Sequence, residues 1–314
     1  MSKKTGKGFK VLVVNDMEGI SGIDDWHQIF AGCKEFESFG RVQVTEDVNA
    51  AARGLKSAGA TQIGVVDFHG SGGPSRNVIP EKLEKGAEIY QGPNLPNRLK
   101  EAVDKSTAAA VFIGFHAMAD TEDGFLRHTI NMDPRIKING KPVGETAINA
   151  YTLGEYGVPV IMVSGDQALI REAKAFLHEV ETAQVKISTD SKTTKCLPPV
   201  KSRKLIEATA KRALLRIDDF KPTQVKKPIR MDISFPTKEQ AEPAKMIPRA
   251  KALSSKTVSY TAASWDEAEM FMMTTLSLAN DFHAKNLVAK LGKLKGAEKA
   301  MLEWAENRIN DWLG

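Results

Sequence analysis

Short apolar runs that alternate with helix-like segments are the feature that most constrains the fold of this 314-residue sequence. Between Phe9 and Glu179, each run has the length of a strand and stops at a polar residue or a glycine. Such runs are typical of strands buried on both faces, and strands separated by helices form parallel sheets. We therefore predict an α/β fold with a largely parallel sheet flanked by helices. The predicted strands are Val11–Val14, Gln62–Val66, Ala108–Phe115 and Val160–Val163.

Periodicity and turn residues predict the elements between these strands. Apolar residues at helical spacing indicate helices, and Asn139-Gly140 at the centre of Ile136–Lys141 indicates a tight hairpin turn. A Gly-rich loop follows the second strand at Gly70–Asn77. The predicted helices are Thr45–Ser57, Leu95–Val103, Gly144–Tyr156 and Gln167–Glu179, and Ala87–Tyr90 is a further candidate strand.

The pattern changes after residue 190, where prolines punctuate the chain. We predict three parts: residues 1–190 as the α/β portion, residues 191–283 as an α+β portion packed against it, and residues 284–314 as a helical extension. The extension carries leucine and tryptophan at roughly helical spacing, so it either docks against this chain or forms an oligomer contact. The elements predicted in the α+β portion are helix Lys201–Ile217, strands Lys227–Phe235 and Lys256–Ala262, and helix Ser264–Leu276.

The composition argues against several classes of protein. Apolar residues make up 42% and charged residues 26% of the chain, which is ordinary for a soluble globular protein. No segment approaches the roughly 20 apolar residues of a membrane helix, and the apolar run behind the N-terminal lysines is too short for a signal peptide. We therefore expect a cytoplasmic protein with no membrane partner. The net charge of +5 is mild, and the basic clusters lack interleaved aromatic residues, which argues against nucleic acid.

Metal-type ligands follow three of the predicted strands. Asp16 and Glu18 come directly after the first strand, His69 follows the second, and His116 ends the third. Because the carboxyl ends of parallel strands meet at one edge of the sheet, we expect these side chains to converge. Glu145, in the first turn of a predicted helix, adds a third carboxylate. The alternative is a set of unrelated polar residues on surface loops.

The mixture of carboxylates and imidazoles favours zinc or another first-row metal over calcium or magnesium. Five ligands exceed the three that one catalytic zinc normally takes, but with one bridging carboxylate they serve two metals. Asp16 lies closest to the strand end and is the natural bridge. His128 lies in a β-like segment beside the third strand's loop, where it would act as a general acid/base or as a nucleophile.

Five sequence motifs carry a resemblance to a known family. They are NDMEGISG (15–22), VDFHG (66–70), GFHAMA (114–119), RHTINM (127–132) and KPVGETAINAY (141–151). In order and spacing, they resemble the DppA-type zinc D-aminopeptidase family, a group of self-compartmentalising metallopeptidases. The resemblance runs from the first strand to about Phe282.

The resemblance implies a site, an assembly and a substrate. Two zinc ions per subunit would be held by residues matching Asp16, Glu18, His69, His116 and Glu145, with Asp16 as the bridge, and His128 would match the catalytic residue. The chain would form a homo-oligomeric ring of two stacked pentamers, a decamer, acting on short peptides with an N-terminal D-residue, notably D-alanine. The chain departs from the family at Arg127, where a small residue is expected, in the Gly-Gly-Pro loop after His69, and in the tail beyond His283.

The expected function is therefore metal-dependent hydrolysis of the peptide bond after an N-terminal D-residue. One alternative stays among hydrolases: the same metals would serve an enzyme for other D-configured or γ-linked cell-wall peptides. A phosphoesterase is disfavoured, because no Arg or Lys clamp accompanies the ligands. An alternative from another class is a non-catalytic metal-binding assembly protein held in a complex by its tail.

Overall fold

The structure is a computed structural model that describes residues 8–70, 76–92, 95–130 and 134–291. Contacts divide the chain into two compact units, which we call the first and the second unit. The first comprises Met1–Ile130 and Val143–Lys226, and the second comprises Asn131–Pro142 and Lys227–Gly314. The three-part division at residues 190 and 283 stays a prediction.

A seven-stranded sheet forms the centre of the first unit, in the order β3-β2-β1-β4-β7-β8-β9. Every neighbouring pair is parallel except β8 and β9, which are antiparallel. This confirms the predicted α/β class with a largely parallel sheet. The strands are β1 (Lys10–Asn15), β2 (Gln62–Asp67), β3 (Ala87–Tyr90), β4 (Thr107–Ile113), β7 (Val160–Asp166), β8 (Glu181–Ser188) and β9 (Thr194–Cys196).

Helices cover both faces of this sheet, and for that reason β1 is apolar throughout. Val11 and Val13 pack into the core that includes Val48 of α1 and Ile206 of α5. Leu12 and Val14 pack on the opposite side, in the core that includes residues of α2, α3 and α4. All six residues of β1 are buried. The helices of this unit are α1 (Arg41–Ser57), α2 (Leu95–Ala102), α3 (Glu145–Glu155), α4 (Gln167–Leu177) and α5 (Pro199–Leu215).

The register of the sheet aligns the ends of its three central strands. Asn15, the last residue of β1, is opposite Asp67 of β2 on one side and Ile113 of β4 on the other. The residues that follow these three positions therefore leave the sheet at the same edge. This alignment brings Asp16, His69 and His116 to one place.

The second unit contains a five-stranded sheet in the order β11-β12-β10-β5-β6. The predicted hairpin turn is confirmed: Asn139 and Gly140 have φ angles of 50° and 81°, as the tight turn requires. Within the described residues, no helix has the length and apolar character needed to cross a membrane. The elements are β5 (Arg135–Ile138), β6 (Lys141–Val143), β10 (Ile229–Ser234), β11 (Lys251–Ala252), β12 (Thr257–Ala262), α6 (Lys238–Ala241) and α7 (Trp265–Leu291).

The structure differs from the predicted elements in four respects. The sheet includes β8 and β9, which the sequence pattern did not reveal. Helix α1 begins at Arg41 rather than Thr45. Helix α5 packs on α1 within the first unit, where Arg53 pairs with Glu207 at 3.0 Å. His128 lies in a loop rather than in an extended segment. The tail beyond Leu291 and residues 71–75 of the Gly-rich loop lie outside the described residues.

Candidate metal and catalytic centre

The turn after β1 is held against the turn after β4 by backbone contacts. The Asp16 amide donates to the Ile113 carbonyl at 2.9 Å, and the Gly19 amide donates to the Gly114 carbonyl at 2.8 Å. Glycine is required at position 19, because a Cβ atom there would lie 2.0 Å from the carbonyl oxygen of Phe115. This close approach of the two turns fixes the distance between the carboxylates of Asp16 and Glu18, after β1, and the imidazole of His116, after β4.

His69 faces both carboxylates of the first turn. Its Nδ1 atom lies 2.9 Å from Asp16 Oδ1 and 3.4 Å from Glu18 Oε2. Its Nε2 atom lies 3.0 Å from the carbonyl oxygen of Ile29, in the long connection between β1 and α1. All three of these ionisable side chains are buried.

His116 and Glu145 face the other side of Asp16. The Nε2 atom of His116 lies 3.4 Å from Asp16 Oδ2 and 3.3 Å from Glu145 Oε1. The Nδ1 atom of His116 lies 2.9 Å from the carbonyl oxygen of Ala117. Glu145 is the first residue of α3, and its Oε1 atom also accepts a hydrogen bond from the Ile130 amide at 2.6 Å.

His128 joins the cluster from the loop that follows β4. Its Nε2 atom lies 4.0 Å from Glu18 Oε1 and 3.8 Å from Glu145 Oε1. Its Nδ1 atom lies 2.8 Å from the carbonyl oxygen of Leu126. The His128 side chain is 32% exposed, whereas that of His116 is 1% exposed, so His128 is the imidazole that solvent or a substrate reaches.

The three imidazoles are held by the same kinds of partner. In each, one ring nitrogen faces carboxylates and the other faces a backbone carbonyl oxygen. A carbonyl only accepts, so the nitrogen beside it carries a proton; when the ring is neutral, the inward nitrogen carries the lone pair that a metal would bind. Metal-binding histidines are commonly held in this way. The six side chains that the sequence singled out thus lie together, with one ring nitrogen of each histidine and the carboxylates turned inward.

The donor set fits a metal because two of its inward atoms otherwise lack partners. Asp16 Oδ2 and His116 Nε2 are buried, and neither has a hydrogen-bond partner within the described part of the chain. Buried polar atoms are rarely left so, because losing water without gaining a partner is costly. The residues form three groups whose ligand atoms all lie within 4.8 Å of one another: Asp16–Glu18–His69, Asp16–His116–Glu145 and Glu18–His116–His128.

Burial and mutual charge shift the pKa values on the Glu18 side of the cluster. Burial, followed by the Glu18 charge, raises the pKa of Asp16 to about 7. Burial also opposes ionisation of Glu18, but the charge and hydrogen bond of His69 outweigh it and hold the pKa of Glu18 well below its usual range. Burial disfavours the charged form of His69, yet Glu18 and Asp16 raise its pKa well above the usual value. The carboxylates therefore favour a cation between them.

Burial and neighbouring charges also give the imidazoles of His116 and His128 different pKa values. Burial disfavours a charged His116, but Glu145 raises the pKa of His116 well above its ordinary value. Burial, and then the charge of His116, lower the pKa of His128. Of these two rings, His128 is therefore the one that stays neutral at neutral pH, so its inward nitrogen is available as a base.

Fold and cluster together define an α/β protein with a mixed carboxylate–imidazole centre at the carboxyl edge of a parallel sheet. A family model described as D-aminopeptidase matches residues 9–274. The chain belongs to this D-aminopeptidase family, which confirms the resemblance of the five sequence motifs.

Two relatives extend this comparison. A D-aminopeptidase of Bacillus subtilis (strain 168) is 34% identical over 278 residues, covering 87% of this chain and 99% of the relative. A solved structure, described as the Zn-dependent D-aminopeptidase DppA from Bacillus subtilis, a self-compartmentalizing protease, superposes with a TM-score of 0.81. It is 33% identical and covers 86% of this chain and 97% of its own. The fold of this chain is thus similar to that structure across most of both lengths.

Proposed function

We propose that this protein is a zinc-dependent D-aminopeptidase that removes an N-terminal D-residue, of the D-alanine type, from short peptides. Family membership and the relative described as Zn-dependent support the reaction class and the metal. The preference for an N-terminal D-residue is inferred from the family that the motifs around Asp16 and Glu145 resemble.

The observation that carries a two-zinc site is the position of Asp16. Its two carboxylate oxygens face different histidines, Oδ1 towards His69 and Oδ2 towards His116. Asp16 is therefore common to two complete ligand groups, one closed by Glu18 and the other by Glu145. Three protein ligands for each ion, with one shared, is the number expected for two catalytic zinc sites.

When bound, the two ions would polarise the scissile carbonyl and lower the pKa of water, supplying a nucleophile at neutral pH. The protein's own residues hold and move protons around this reaction. His128 Nε2 is the atom that accepts and returns a proton or attacks the substrate, while its Nδ1 proton is held by the Leu126 carbonyl. The substrate's free amine would be held by a carboxylate at the site or by one of the metal ions.

We also propose that the chain assembles into a homo-oligomeric ring, with a decamer as the expected size. Support comes from the relative described as a self-compartmentalizing protease, which covers most of this chain. Native mass spectrometry of the purified protein tests this directly. A monomer at micromolar concentration would contradict the assembly without affecting the proposed reaction.

Metal analysis of the wild type beside Asp16→Ala tests the site. About two zinc equivalents per subunit should fall to one or none in Asp16→Ala, while Asp24→Ala, an exposed acid outside the cluster, should retain both. A parallel panel of D-alanyl, L-alanyl and γ-linked peptides tests the substrate. A wild type without metal, and without turnover when zinc is added, would overturn the proposal; turnover confined to γ-linked peptides would favour the cell-wall alternative.

A further inference from the structure

Lys186 is a buried cation that the proposed reaction does not use. It lies in β8, an element that the sequence pattern did not reveal, and it is 1% exposed. Its Nζ atom donates to the carbonyl oxygen of Glu18 at 2.8 Å and to that of Ile23 at 2.6 Å. Among the described residues, no carboxylate lies within ion-pair distance of this ammonium. Burying an ammonium in this way is costly, so its contacts need an explanation.

The two carbonyls lie at the ends of the turn that carries a proposed metal ligand. Glu18 begins this segment, Ile23 ends it, and Gly22 within it has a φ of 80°. By bonding to both carbonyls, the ammonium closes the segment into a fixed turn. Because one of the carbonyls belongs to Glu18 itself, the position of the Glu18 carboxylate depends on this contact.

The same ammonium also contacts the loop that carries His128. It lies 5.0 Å from the ring centroid of Phe125, within the range of a cation–π interaction. The Phe125 amide in turn donates to Asp166 Oδ2 at 2.8 Å, and Asp166 caps the N-terminus of α4 through the Leu169 amide. Lys186 thus joins the turn of Glu18 to a loop that is anchored on a helix.

We propose that Lys186 is a positioning residue for the metal centre, whose ammonium sets the relative placement of Glu18 and His128. This inference rests on the proposed function. An apolar residue would fill the same space at lower cost but would not hold the two carbonyls, so the specific effect of the ammonium is the geometry that it imposes on the turn. It acts through the ligand groups that contain Glu18: its hydrogen bonds reach the carbonyl oxygens of Glu18 and Ile23, and neither residue belongs to the group Asp16–His116–Glu145.

Lys186→Met keeps most of the side-chain stem and removes the ammonium. The Glu18 and Ile23 carbonyls then lose their donor, and the turn relaxes. We expect the zinc ion held by Asp16–Glu18–His69 to bind about 10- to 100-fold more weakly, as is typical when a contact that orients a ligand is lost, and the other ion to keep its affinity. Lys195→Met, an exposed lysine on the neighbouring strand β9, is the matched control.

Zinc titration of the full-length protein against a competing chelator measures both affinities, and circular dichroism checks folding. One weakened site in Lys186→Met, with Lys186→Arg restoring part of the affinity and Lys195→Met unchanged, would support the inference. Two sites of wild-type affinity in folded Lys186→Met would overturn it. A wild type that binds no zinc would instead overturn the proposed function, so the two failures are distinguishable.

Phe125→Leu keeps the inference testable if Lys186→Met does not fold. This variant removes the aromatic face but leaves both carbonyl contacts of Lys186 in place. We expect a lower kcat, by about 10-fold, with KM and both zinc affinities close to those of the wild type. An unchanged kcat would show that the ammonium does not act on the His128 loop.

Discussion

The imidazole rings of His116 and His128 stack with their centroids 3.9 Å apart and an angle of 13° between their planes. One ring turns its inward nitrogen towards Asp16 and Glu145, and the other reaches Glu18 and Glu145 from a partly exposed loop. Burial and the charge of His116 both lower the pKa of His128. The stack therefore couples a ligand-type imidazole to a neutral imidazole that can react.

Replacing His128 should separate catalysis from metal binding. We expect His128→Ala to lower kcat by about 10²- to 10⁴-fold, the range for loss of a positioned acid/base, while both zinc ions remain bound. Steady-state kinetics and metal analysis of the same sample measure the two effects. His27→Ala, which removes a half-exposed imidazole paired with Asp25, serves as control. Full activity in His128→Ala would remove this residue from the mechanism.

The two ligand groups should respond separately to single substitutions. Glu18→Gln weakens the group Asp16–Glu18–His69, and Glu145→Gln weakens the group Asp16–His116–Glu145. We expect each variant to retain about one zinc ion, because all three ligands of the other site, including its own glutamate, remain in place. Equilibrium dialysis followed by elemental analysis gives the count. If either variant kept both ions at wild-type affinity, that glutamate would not be a ligand.

The carboxylate of Asp67 should contribute strongly to stability. It accepts hydrogen bonds from five donors at 2.7–3.1 Å, which come from Asn15, Asn77, Val78 and Gln91. Asp67→Ala leaves these buried donors unpaired, at a cost of about 1–3 kcal/mol for each one that water cannot reach. We expect the free energy of unfolding in urea to fall by at least about 3 kcal/mol. Asp218→Ala, at an exposed position, should change it by less than about 0.5 kcal/mol.

An ion pair on the His128 loop should make stability depend on acidic pH. Hydrogen bonds from Arg171, at 2.6 and 3.0 Å, lower the pKa of Asp123 from 3.8 to about 2. Since the folded-state pKa is below the unfolded value, the stabilisation is complete above pH 3.8 and is lost as the pH falls towards 2. Both side chains are more than one-third exposed, so the effect is at most about 1 kcal/mol.

Melting temperatures of the wild type and Asp123→Asn, measured between pH 5 and pH 2, test this linkage. The wild type should melt higher at pH 5, and the two curves should converge as Asp123 becomes protonated. A difference that stays constant over this range would mean that the ion pair contributes nothing through its charge.

Arg127 should influence which peptides are accepted. It precedes His128, and its Nε atom is buried with no hydrogen-bond partner among the described residues. A guanidinium on the residue next to His128 in the chain would suit a substrate carboxylate. We expect Arg127→Met to lower kcat/KM about 10-fold or more for dipeptides with a free C-terminal carboxylate and to leave the corresponding amides unchanged. Equal losses for acids and amides would contradict a role in recognising charge.

The central strands could be predicted because both of their faces are buried. In β1, β2 and β4, successive apolar residues pack into two different cores, one on each face of the sheet. This produces a continuous apolar run that can be seen in the sequence. Strand β8 has buried and partly exposed residues in an irregular order and includes Lys186, so no run marks it. Strand β9 is only three residues long. Strands of this kind are identified only in the structure, where β8 pairs with β7 and β9 pairs with β8.

The convergence of acids and imidazoles could be anticipated in outline, because parallel strands end at a common edge. Their assignment as ligands stays a prediction until metal is measured. The contacts that orient the imidazoles were not predictable: the carbonyls of Ile29, Ala117 and Leu126 belong to irregular backbone, where any residue supplies the same oxygen. The role of Lys186 was hidden for a related reason, since its partners are also carbonyls.

The interleaving of the two units has a consequence for how the protein is made. Residues 131–142 leave the first unit, and Ile136 of β5 pairs with Ile233 of β10, which is synthesised much later. A strand emerging early from the ribosome must therefore wait for its partner while the rest of the first unit is completed. No single cut of the gene separates the two units, and contacts so distant in sequence slow folding. The strand that leads into the Asn139-Gly140 hairpin thus completes its pairing only after β10 has been synthesised.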